Sequence, residues 1–242
     1  MNRTAIVTGA TKGIGKAIAS RLLQEDWMVV ITYSSDTQSA AVTYNEFCET
    51  APGRVFLLQA DNSDLSSIET IDGFLGENNL TIDAMIFNAG ITDRSDFLSI
   101  KPENWCKVFT ANVHFPVFLL QKIYPRMNEK GSVTFTGSLM GIQPHSVSLA
   151  YGVTKASVHA LVKNLVKFFT EKQIRVNAVA PGFVDTEWQK TKPAEIRNSI
   201  TRKVAAGRFC TPEELTDVYM LLIDNQYMNG EVVVCDGGYS YK

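Results

Sequence analysis

The chain has 242 residues, and its 23 lysines and arginines nearly balance its 25 aspartates and glutamates, for a formal net charge of −2. This balance lacks the basic surface that nucleic-acid-binding proteins present to phosphates, so we expect no nucleic-acid partner. No apolar run approaches the roughly 18 residues of a membrane span, and the residues from Met1 to Thr4 carry no signal-peptide pattern, so we expect a cytoplasmic protein with no membrane partner. The four cysteines form no CxxC pair and no cluster with histidine, so we expect no metal site.

Short apolar runs of strand length alternate with helix-length periodic segments along the chain, and no linker-like stretch divides it. The predicted strands are Thr4–Thr8, Met28–Thr32, Val55–Leu58, Ile82–Phe87, Ser132–Thr136, Ile174–Val179 and Glu231–Val234. The predicted helices include Gly15–Glu25, Leu65–Leu75, Pro102–Met127, Ala150–Glu171 and Pro212–Ile223. Most strands are apolar with little alternation, as expected for parallel strands buried on both faces. The pattern predicts an α/β fold, a single-domain doubly wound parallel sheet over residues 1–242 with helices on both faces.

The first predicted strand runs directly into a glycine-rich turn that opens a helix. The glycines follow the spacing G-x-x-x-G-x-G, which differs from the general dinucleotide fingerprint G-x-G-x-x-G. Glycine allows close approach of the backbone to a ligand, and the helix N-terminus offers free N–H groups to a pyrophosphate. Three glycines alone could be an ordinary turn, but their place at the first strand-to-helix turn favours a cofactor site. The candidate contacts are Gly9, Thr11, Lys12, Gly13, Ile14 and Gly15.

A tyrosine and a lysine, Tyr151 and Lys155, lie four residues apart and share one face of a predicted helix. An ammonium beside a phenol stabilises the phenolate and lowers the pKa of the phenol, and a shift of about three units requires roughly 4 kcal/mol. Tyr-x-x-x-Lys alone is also a common surface pair. Ser138 strengthens the functional interpretation, because it follows the strand Ser132–Thr136 and its hydroxyl could bind a substrate oxygen.

Three further motifs follow predicted strands or lie in the next helix: Asn88-Ala89-Gly90, Asn112 and Pro181-Gly182. With the glycine turn, Ser138 and Tyr-x-x-x-Lys, they occur in the order and at the spacing of the short-chain dehydrogenase/reductase family. The chain resembles that family over essentially its whole length. Within the family it is most similar to bacterial 3-oxoacyl-acyl-carrier-protein reductases, through residues 88–92, 179–186, 206–209 and 236–239.

The resemblance implies an enzyme that moves a hydride between a nicotinamide cofactor and a carbonyl or alcohol carbon. Tyr151 would be the general acid in reduction, Lys155 would lower its pKa and hold the nicotinamide ribose, and Ser138 would polarise the carbonyl. Asn112 would anchor a water chain to Lys155, although an asparagine within a helix is easily a satisfied structural residue. The further cofactor contacts implied are Asp61 and Asn62 at the adenine, Asn88, Ala89 and Gly90 along the adenosine, and Pro181, Gly182, Val184 and Thr186 near the nicotinamide.

The end of the second strand bears on which cofactor is used. NAD-specific relatives usually place an acid there for the ribose 2′-hydroxyl. In this chain Tyr33 occupies that position, the hydroxyl residues Ser34 and Ser35 follow, and Lys12 could reach a 2′-phosphate. Asp36 argues against this if its carboxylate turns inward. The pattern favours NADP(H) over NAD(H), and carbonyl reduction as the usual direction.

The remaining expectations concern substrate and assembly. Residues 183–206 are predicted to form a lid over the substrate, with Trp188 as a lid contact. His145 could line the substrate pocket, whereas His114 and His159 are expected to be packing or surface residues. Carrier proteins are acidic, so a basic face is a candidate docking site, although charge runs are usually solvated. The candidate basic stripes are Lys122, Arg126 and Lys130 on one helix, and Lys163 and Lys167 with Lys172 on and after another.

Two alternatives remain open beside reduction of a carrier-bound 3-oxoacyl thioester. The same chemistry could act on a sugar, a steroid or a small ketone. An inert cofactor-binding scaffold is disfavoured, because it would have no chemical reason to keep Ser138, Tyr151, Lys155 and Asn112. The family resemblance also implies a homotetramer.

Overall fold

The computed structural model describes residues 3–144 and 148–242. Within these ranges seven parallel strands form one sheet in the order β3-β2-β1-β4-β5-β6-β7. The strands are β1 Thr4–Val7, β2 Met28–Tyr33, β3 Val55–Gln59, β4 Ile82–Phe87, β5 Met127–Thr136, β6 Arg175–Pro181 and β7 Val232–Cys235. The strand order reverses between β1 and β4, which confirms the predicted doubly wound sheet and places a ligand crevice at that switch point.

Helices cover both faces of the sheet. They are α1 Gly13–Gln24, α2 Thr37–Thr50, α3 Ser67–Glu77, α4 Pro102–Phe109, α5 Phe115–Ile123, α6 Leu149–Leu165, α7 Glu187–Lys190, α8 Ala194–Lys203 and α9 Pro212–Asp224. Successive strand residues point to opposite faces, so Ala5 and Val7 of β1 pack with α1 and α9, whereas Ile6 packs with α3, α5 and α6. Both faces are therefore apolar, which explains the continuous apolar runs of the strands.

Helix α2 is absent from the sequence prediction because it buries little. Its buried residues are Ala40, Thr43 and Phe47, so the apolar periodicity is weak. The helix begins where the Asp36 side chain accepts a hydrogen bond of 3.0 Å from the backbone N–H of Ser39. A local cap, rather than an apolar stripe, therefore marks its start.

The predicted helix Pro102–Met127 is divided in the structure. A π-helical turn over Thr110–His114 separates α4 from α5, α5 ends at Ile123, and Met127 already belongs to β5. Pro116 has no amide hydrogen, and its ring crowds the carbonyl group of the residue four positions earlier, which is Asn112. The wider π turn accommodates this break, and it carries Asn112.

The predicted basic stripe on this helix is therefore wrong. Lys130 lies in β5 with a φ of 61°, so it does not share a helix face with Lys122 and Arg126. Lys122 pairs with Glu69 at 2.8 Å, and Arg126 pairs with Asp72 at 2.8 Å. Two of the three cations are thus already engaged with acids of α3.

Lys172, expected to extend the second stripe, is a structural residue. Its ammonium donates hydrogen bonds to the backbone carbonyl groups of Tyr124, Pro125 and Met127, at distances of 2.7–3.1 Å. Lys163 and Lys167 are exposed. In the described ranges no helix combines the length and the apolar character needed to cross a membrane.

Candidate active site

Two adjoining cavities open at the carboxyl ends of the strands. The first, here called the glycine cleft, runs from the turn after β1 to Tyr151 and Trp188. The second, here called the side pocket, extends from the same two residues over Ser138 toward the segment after β6. Because the cavities meet at Tyr151, molecules bound in each would reach the same phenol.

Most predicted cofactor residues line the glycine cleft. They are Gly9, Thr11, Lys12, Gly13, Ile14, Ser34, Ser35, Asp61, Asn62, Asn88, Ala89, Gly90, Tyr151, Lys155 and Thr186. Pro181 and Gly182 line the side pocket instead, and the side chain of Val184 packs in the core beside Cys210. The cleft is also lined by residues that were not among the predicted cofactor contacts: Tyr33, Asp36, Ala60, Ile91, Ala111, Thr136, Glu187 and Trp188. Of these, Ala60 follows β3 directly, so its position after a strand could have indicated it.

The glycine turn requires its glycines. Gly9 and Gly13 have φ values of 62° and 52°, in the left-handed region that side chains disfavour. A Cβ on Gly15 would overlap the carbonyl oxygen of Gly9 and lie 2.5 Å from Nδ2 of Asn88. That Nδ2 donates hydrogen bonds of 3.1 Å to the carbonyl oxygens of Thr8 and Gly9. Asn88, the residue after β4, thus connects the end of that strand to the glycine turn through hydrogen bonds.

The polar groups of the glycine cleft fit a dinucleotide. Helix α1 begins there with no acidic residue in its first turn and, in the described ranges, no side-chain cap, so its N–H groups can meet a pyrophosphate. Nδ2 of Asn62 is buried and has no hydrogen-bond partner among the described residues. A ring nitrogen of adenine is an acceptor that would satisfy this donor.

The rim of the glycine cleft carries an ion pair between Lys12 and Asp36. The Lys12 hydrogen bond, followed by the bonds from Ser39, lowers the pKa of Asp36 to about 2. Both side chains are about half exposed, at 47% each. The Asp36 carboxylate therefore does turn toward the cleft. Lys12 and Asp36 line the same part of the cleft as Tyr33, Ser34 and Ser35.

Ser138 and Tyr151 are held by two capped segments. Oγ of Ser138 accepts a hydrogen bond of 3.1 Å from the N–H of Met140. Ser138 and Tyr151 both line the side pocket. Ser148 caps α6 by accepting a hydrogen bond of 3.4 Å from the N–H of Tyr151. The predicted serine and tyrosine therefore meet where the two cavities join.

Burial dominates the protonation of the tyrosine and the lysine. It raises the pKa of Tyr151 to about 12, although the nearby Ser138 side chain acts in the opposite direction, and it lowers the pKa of Lys155 to about 8. The Lys155 ammonium donates a hydrogen bond of 2.5 Å to the carbonyl oxygen of Thr136 and lies 5.3 Å from the centroid of the Tyr151 ring. The pKa of the phenol is thus raised, not lowered as expected from the neighbouring Lys155, because desolvation disfavours the phenolate.

Asn112 lies in the π turn and is buried. Its Oδ1 accepts a hydrogen bond of 2.9 Å from the N–H of Ile91, and its Nδ2 donates to the carbonyl oxygen of Ile91 at 2.9 Å and to Oγ1 of Thr154 at 3.0 Å. A Cβ on Gly90 would lie 3.1 Å from Oδ1 of Asn112 and 3.6 Å from Nζ of Lys155. Asn112 therefore joins the loop after β4 to α6, and its part in a water chain stays a prediction.

His159 is a packing residue, as predicted, and it lies behind Ser138. Its Nε2 accepts a hydrogen bond of 3.4 Å from the N–H of Ser138, and burial lowers its pKa to about 4. His114 is exposed, which also agrees with the prediction, and His145 lies outside the described residues. The link between His159 and Ser138 gives no local sequence signal, because it depends on how α6 packs against the end of β5.

The predicted lid, residues 183–206, contains α7 and α8. Trp188 is 45% exposed, and its ring meets the Tyr151 ring edge-on with the centroids 6.0 Å apart. Arg197 of α8 pairs with Asp185 at 3.0 Å, which links the two ends of the segment. Trp188 thus lies over the tyrosine, while closure of the segment remains a prediction.

The chain is similar to known proteins over nearly its whole length. A family model described as enoyl-(acyl carrier protein) reductase matches residues 9–240. A 3-oxoacyl-acyl-carrier-protein reductase FabG of Thermotoga maritima is 30% identical over 240 residues, covering 98% of this chain and 97% of the relative. Glucose 1-dehydrogenase 2 of Bacillus subtilis is 32% identical over 243 residues, covering 98% of this chain and 94% of the relative.

A solved short-chain dehydrogenase/reductase of Serratia marcescens has the same fold, with a TM-score of 0.91 at 26% identity and 98% of each chain covered. The family model spans nearly the whole chain, and the sequence relatives are oxidoreductases. The chain therefore belongs to the short-chain dehydrogenase/reductase family, whose members are oxidoreductases that bind a nicotinamide cofactor.

Proposed function

We propose that the protein uses NADP(H) to reduce the carbonyl group of a 3-oxoacyl thioester on an acyl carrier protein to an alcohol. The observation that carries the proposal is that Ser138 and Tyr151 line one pocket, which joins the glycine cleft at Tyr151. A relative named as a 3-oxoacyl-acyl-carrier-protein reductase, at 30% identity over nearly the whole chain, supports the thioester substrate.

The mechanism assigns one task to each polar side chain. The bound cofactor would supply the hydride that adds to the carbonyl carbon. Ser138 would donate a hydrogen bond to the carbonyl oxygen, and Tyr151 would give its proton to the same oxygen as it becomes an alkoxide. Because burial keeps the pKa of Tyr151 near 12, the phenol is protonated at neutral pH, which is the form that reduction requires. Lys155, charged below its pKa of about 8, would stabilise the phenolate left behind.

The preference for NADP(H) is proposed from the rim of the glycine cleft. Tyr33 and two serines occupy the end of β2, where NAD-specific enzymes of this fold place an acid. The nearest acid, Asp36, is committed to the N-terminus of α2 and to Lys12. A 2′-phosphate would take Lys12 as its cation.

A second candidate substrate is a sugar, favoured by the relative named glucose 1-dehydrogenase 2 at 32% identity. The walls of the side pocket argue for the acyl thioester instead. They include Leu139, Met140, Phe183 and Trp188, which suit an acyl chain better than a polyhydroxylated ring.

We also propose a homotetramer built on the helices α5 and α6. Phe118 is 47% exposed and Phe168, just after α6, is 74% exposed, whereas Phe169 is buried. Contact between subunits at these two helices would bury both exposed phenylalanine rings. Sedimentation of the purified protein tests this, and a monomer at micromolar concentration would contradict it.

Oxidation of NADPH and NADH by the purified protein tests the function directly. The substrates are acetoacetyl thioesters on a carrier protein and on a short neutral thiol, with a crotonyl thioester and glucose as competing chemistries. Fast NADPH oxidation with acetoacetyl thioester and preference for the carrier would support the proposal. Turnover confined to glucose, or to the crotonyl carbon–carbon double bond, would contradict it.

A further inference from the structure

The side pocket is positively charged. Its described lining residues include two cations, Arg94 and Lys192, and no aspartate or glutamate. Arg94 lies in the loop after β4, and Lys192 lies between α7 and α8. Both surround the cavity that also contains Ser138 and Tyr151, and neither lines the glycine cleft. The charge therefore faces whatever occupies the side pocket rather than the cofactor.

Neither cation is neutralised within the described residues. The neighbouring lid cation Lys190 pairs with Glu187 at 3.0 Å, but Arg94 and Lys192 form no ion pair in the described ranges. The residues outside those ranges include no aspartate or glutamate, so the rest of the chain cannot supply a carboxylate side chain.

Asp93, the nearest acid in sequence, does not pair with either cation, and its Oδ2 is buried with no hydrogen-bond partner among the described residues. Its Oδ1 accepts hydrogen bonds from the N–H and the hydroxyl of Ser95, at 3.1 Å and 2.7 Å. Within the described ranges it forms no ion pair with the adjacent Arg94. The two cations are left facing the cavity.

The two charges also influence each other. Lys192 is half-buried, and burial, followed by the nearby Arg94 cation, lowers its pKa. Two cations beside an apolar wall are unfavourable unless an anion lies between them, and an anion there would gain from both. The arrangement is therefore that of a binding site for a negatively charged group.

We propose that Arg94 and Lys192 bind an anionic oxygen group, a carboxylate or a phosphate, on the substrate whose carbonyl group meets Ser138 and Tyr151. Arginine offers a planar fork that matches both groups, and lysine adds a point charge. This inference rests on the proposed function in placing a carbonyl substrate in the side pocket. With a carrier-bound thioester the group is the phosphate of the pantetheine arm, and with a small keto acid it is a carboxylate.

Binding of matched charged and neutral ligands to the protein saturated with NADPH tests the anion site without turnover, because none of the ligands has a ketone group to accept the hydride. One pair is pantetheine 4′-phosphate and pantetheine, and the other is 3-hydroxybutyrate and its amide, each measured by calorimetry. We expect the charged member of at least one pair to bind about tenfold more tightly, as for a charge-assisted hydrogen bond, and to lose this advantage at high salt. Equal affinities within both pairs would overturn the proposal.

Variants assign the effect to the two residues. Arg94→Gln and Lys192→Gln should each reduce the preference for the charged ligand about fivefold to tenfold. Lys203→Gln removes an exposed cation at the end of α8 outside the side pocket and should keep the preference. Full preference in both the Arg94 and the Lys192 variants would overturn the assignment.

Turnover separates this inference from the proposed function. If no acetoacetyl thioester, charged or neutral, is reduced while the charged ligands keep their advantage, the proposed function fails and the anion site stands. If thioesters are reduced and charge makes no difference to binding, the anion site fails alone. A preference for the carboxylate pair over the phosphate pair supports the site and identifies a small keto acid as the source of the anion.

Discussion

The backbone N–H of Ser138 donates a hydrogen bond of 3.4 Å to Nε2 of His159. His159 follows Lys155 by four residues on α6, so the helix that carries Tyr151 and Lys155 also holds the loop that carries Ser138. A Cβ on Gly137 would overlap Nε2 of His159, so the close approach requires glycine there. The serine and the tyrosine are thus set relative to each other through one helix.

This buried histidine predicts a loss of stability in acid. Burial lowers the pKa of His159 from 6.5 to about 4, so the unfolded chain takes up a proton below pH 6.5 that the folded chain takes up only near pH 4. Stability is therefore retained above pH 6.5 and falls as the pH drops toward 4, by about 3 kcal/mol for this group. Urea unfolding between pH 7.5 and pH 4.5 should show a smaller fall for His159→Asn than for the wild type. His114→Asn, at an exposed histidine, should follow the wild type, and equal slopes in all three proteins would contradict the assignment.

Removal of the proton donor should stop turnover without stopping cofactor binding. Tyr151→Phe keeps the ring beside Trp188 and deletes the hydroxyl, so turnover should fall by about 100-fold to 10,000-fold. The Kd for NADPH should stay nearly constant. Tyr241→Phe, at a tyrosine that is 93% exposed, is the matched control. Substantial residual turnover in the Tyr151→Phe variant would show that Tyr151 is not the general acid.

The pair of Lys12 and Asp36 predicts opposite changes in cofactor preference. Lys12→Ala should weaken NADPH binding about tenfold more than NADH binding, because a cation for the 2′-phosphate is lost. Asp36→Asn can still cap α2 at Ser39 while removing a negative charge, so it should shift the preference toward NADPH. Calorimetric Kd values for both cofactors measure this. Equal losses for both cofactors in the Lys12 variant would contradict the proposed use of NADP(H).

The glycine turn predicts that an added methyl group is harmful at one glycine and harmless at another. Gly15→Ala would place a Cβ against Gly9 and Asn88, so it should cost about 1–3 kcal/mol of stability and weaken NADPH binding at least about tenfold. Gly73 lies within α3 with nothing within 4 Å of an added Cβ, so Gly73→Ala should be neutral or stabilise by up to about 1 kcal/mol. Thermal unfolding and cofactor titration test both variants, and normal binding by the Gly15 variant would show that the turn tolerates a side chain.

The sequence by itself determined the sheet and the principal residues of the site. The strands that bury both faces are continuous apolar runs, and the glycine turn and Ser138 come soon after strands. Tyr151 and Lys155 have the i,i+4 spacing of one helix face, and the resemblance to a known family gave all these residues their roles. Gly13, Ser138, Tyr151 and Lys155 were predicted in this way, and they line the two joined cavities.

The tertiary structure alone decided which distant charged residues come together and how burial shifts the pKa values of the site. Arg94 and Lys192 come to one cavity only because the loop after β4 and the segment after β6 end at the same edge of the sheet. The high pKa of Tyr151 likewise depends on desolvation in the packed structure. These properties arise from packing between segments far apart in the chain, which a pattern of neighbouring residues does not contain.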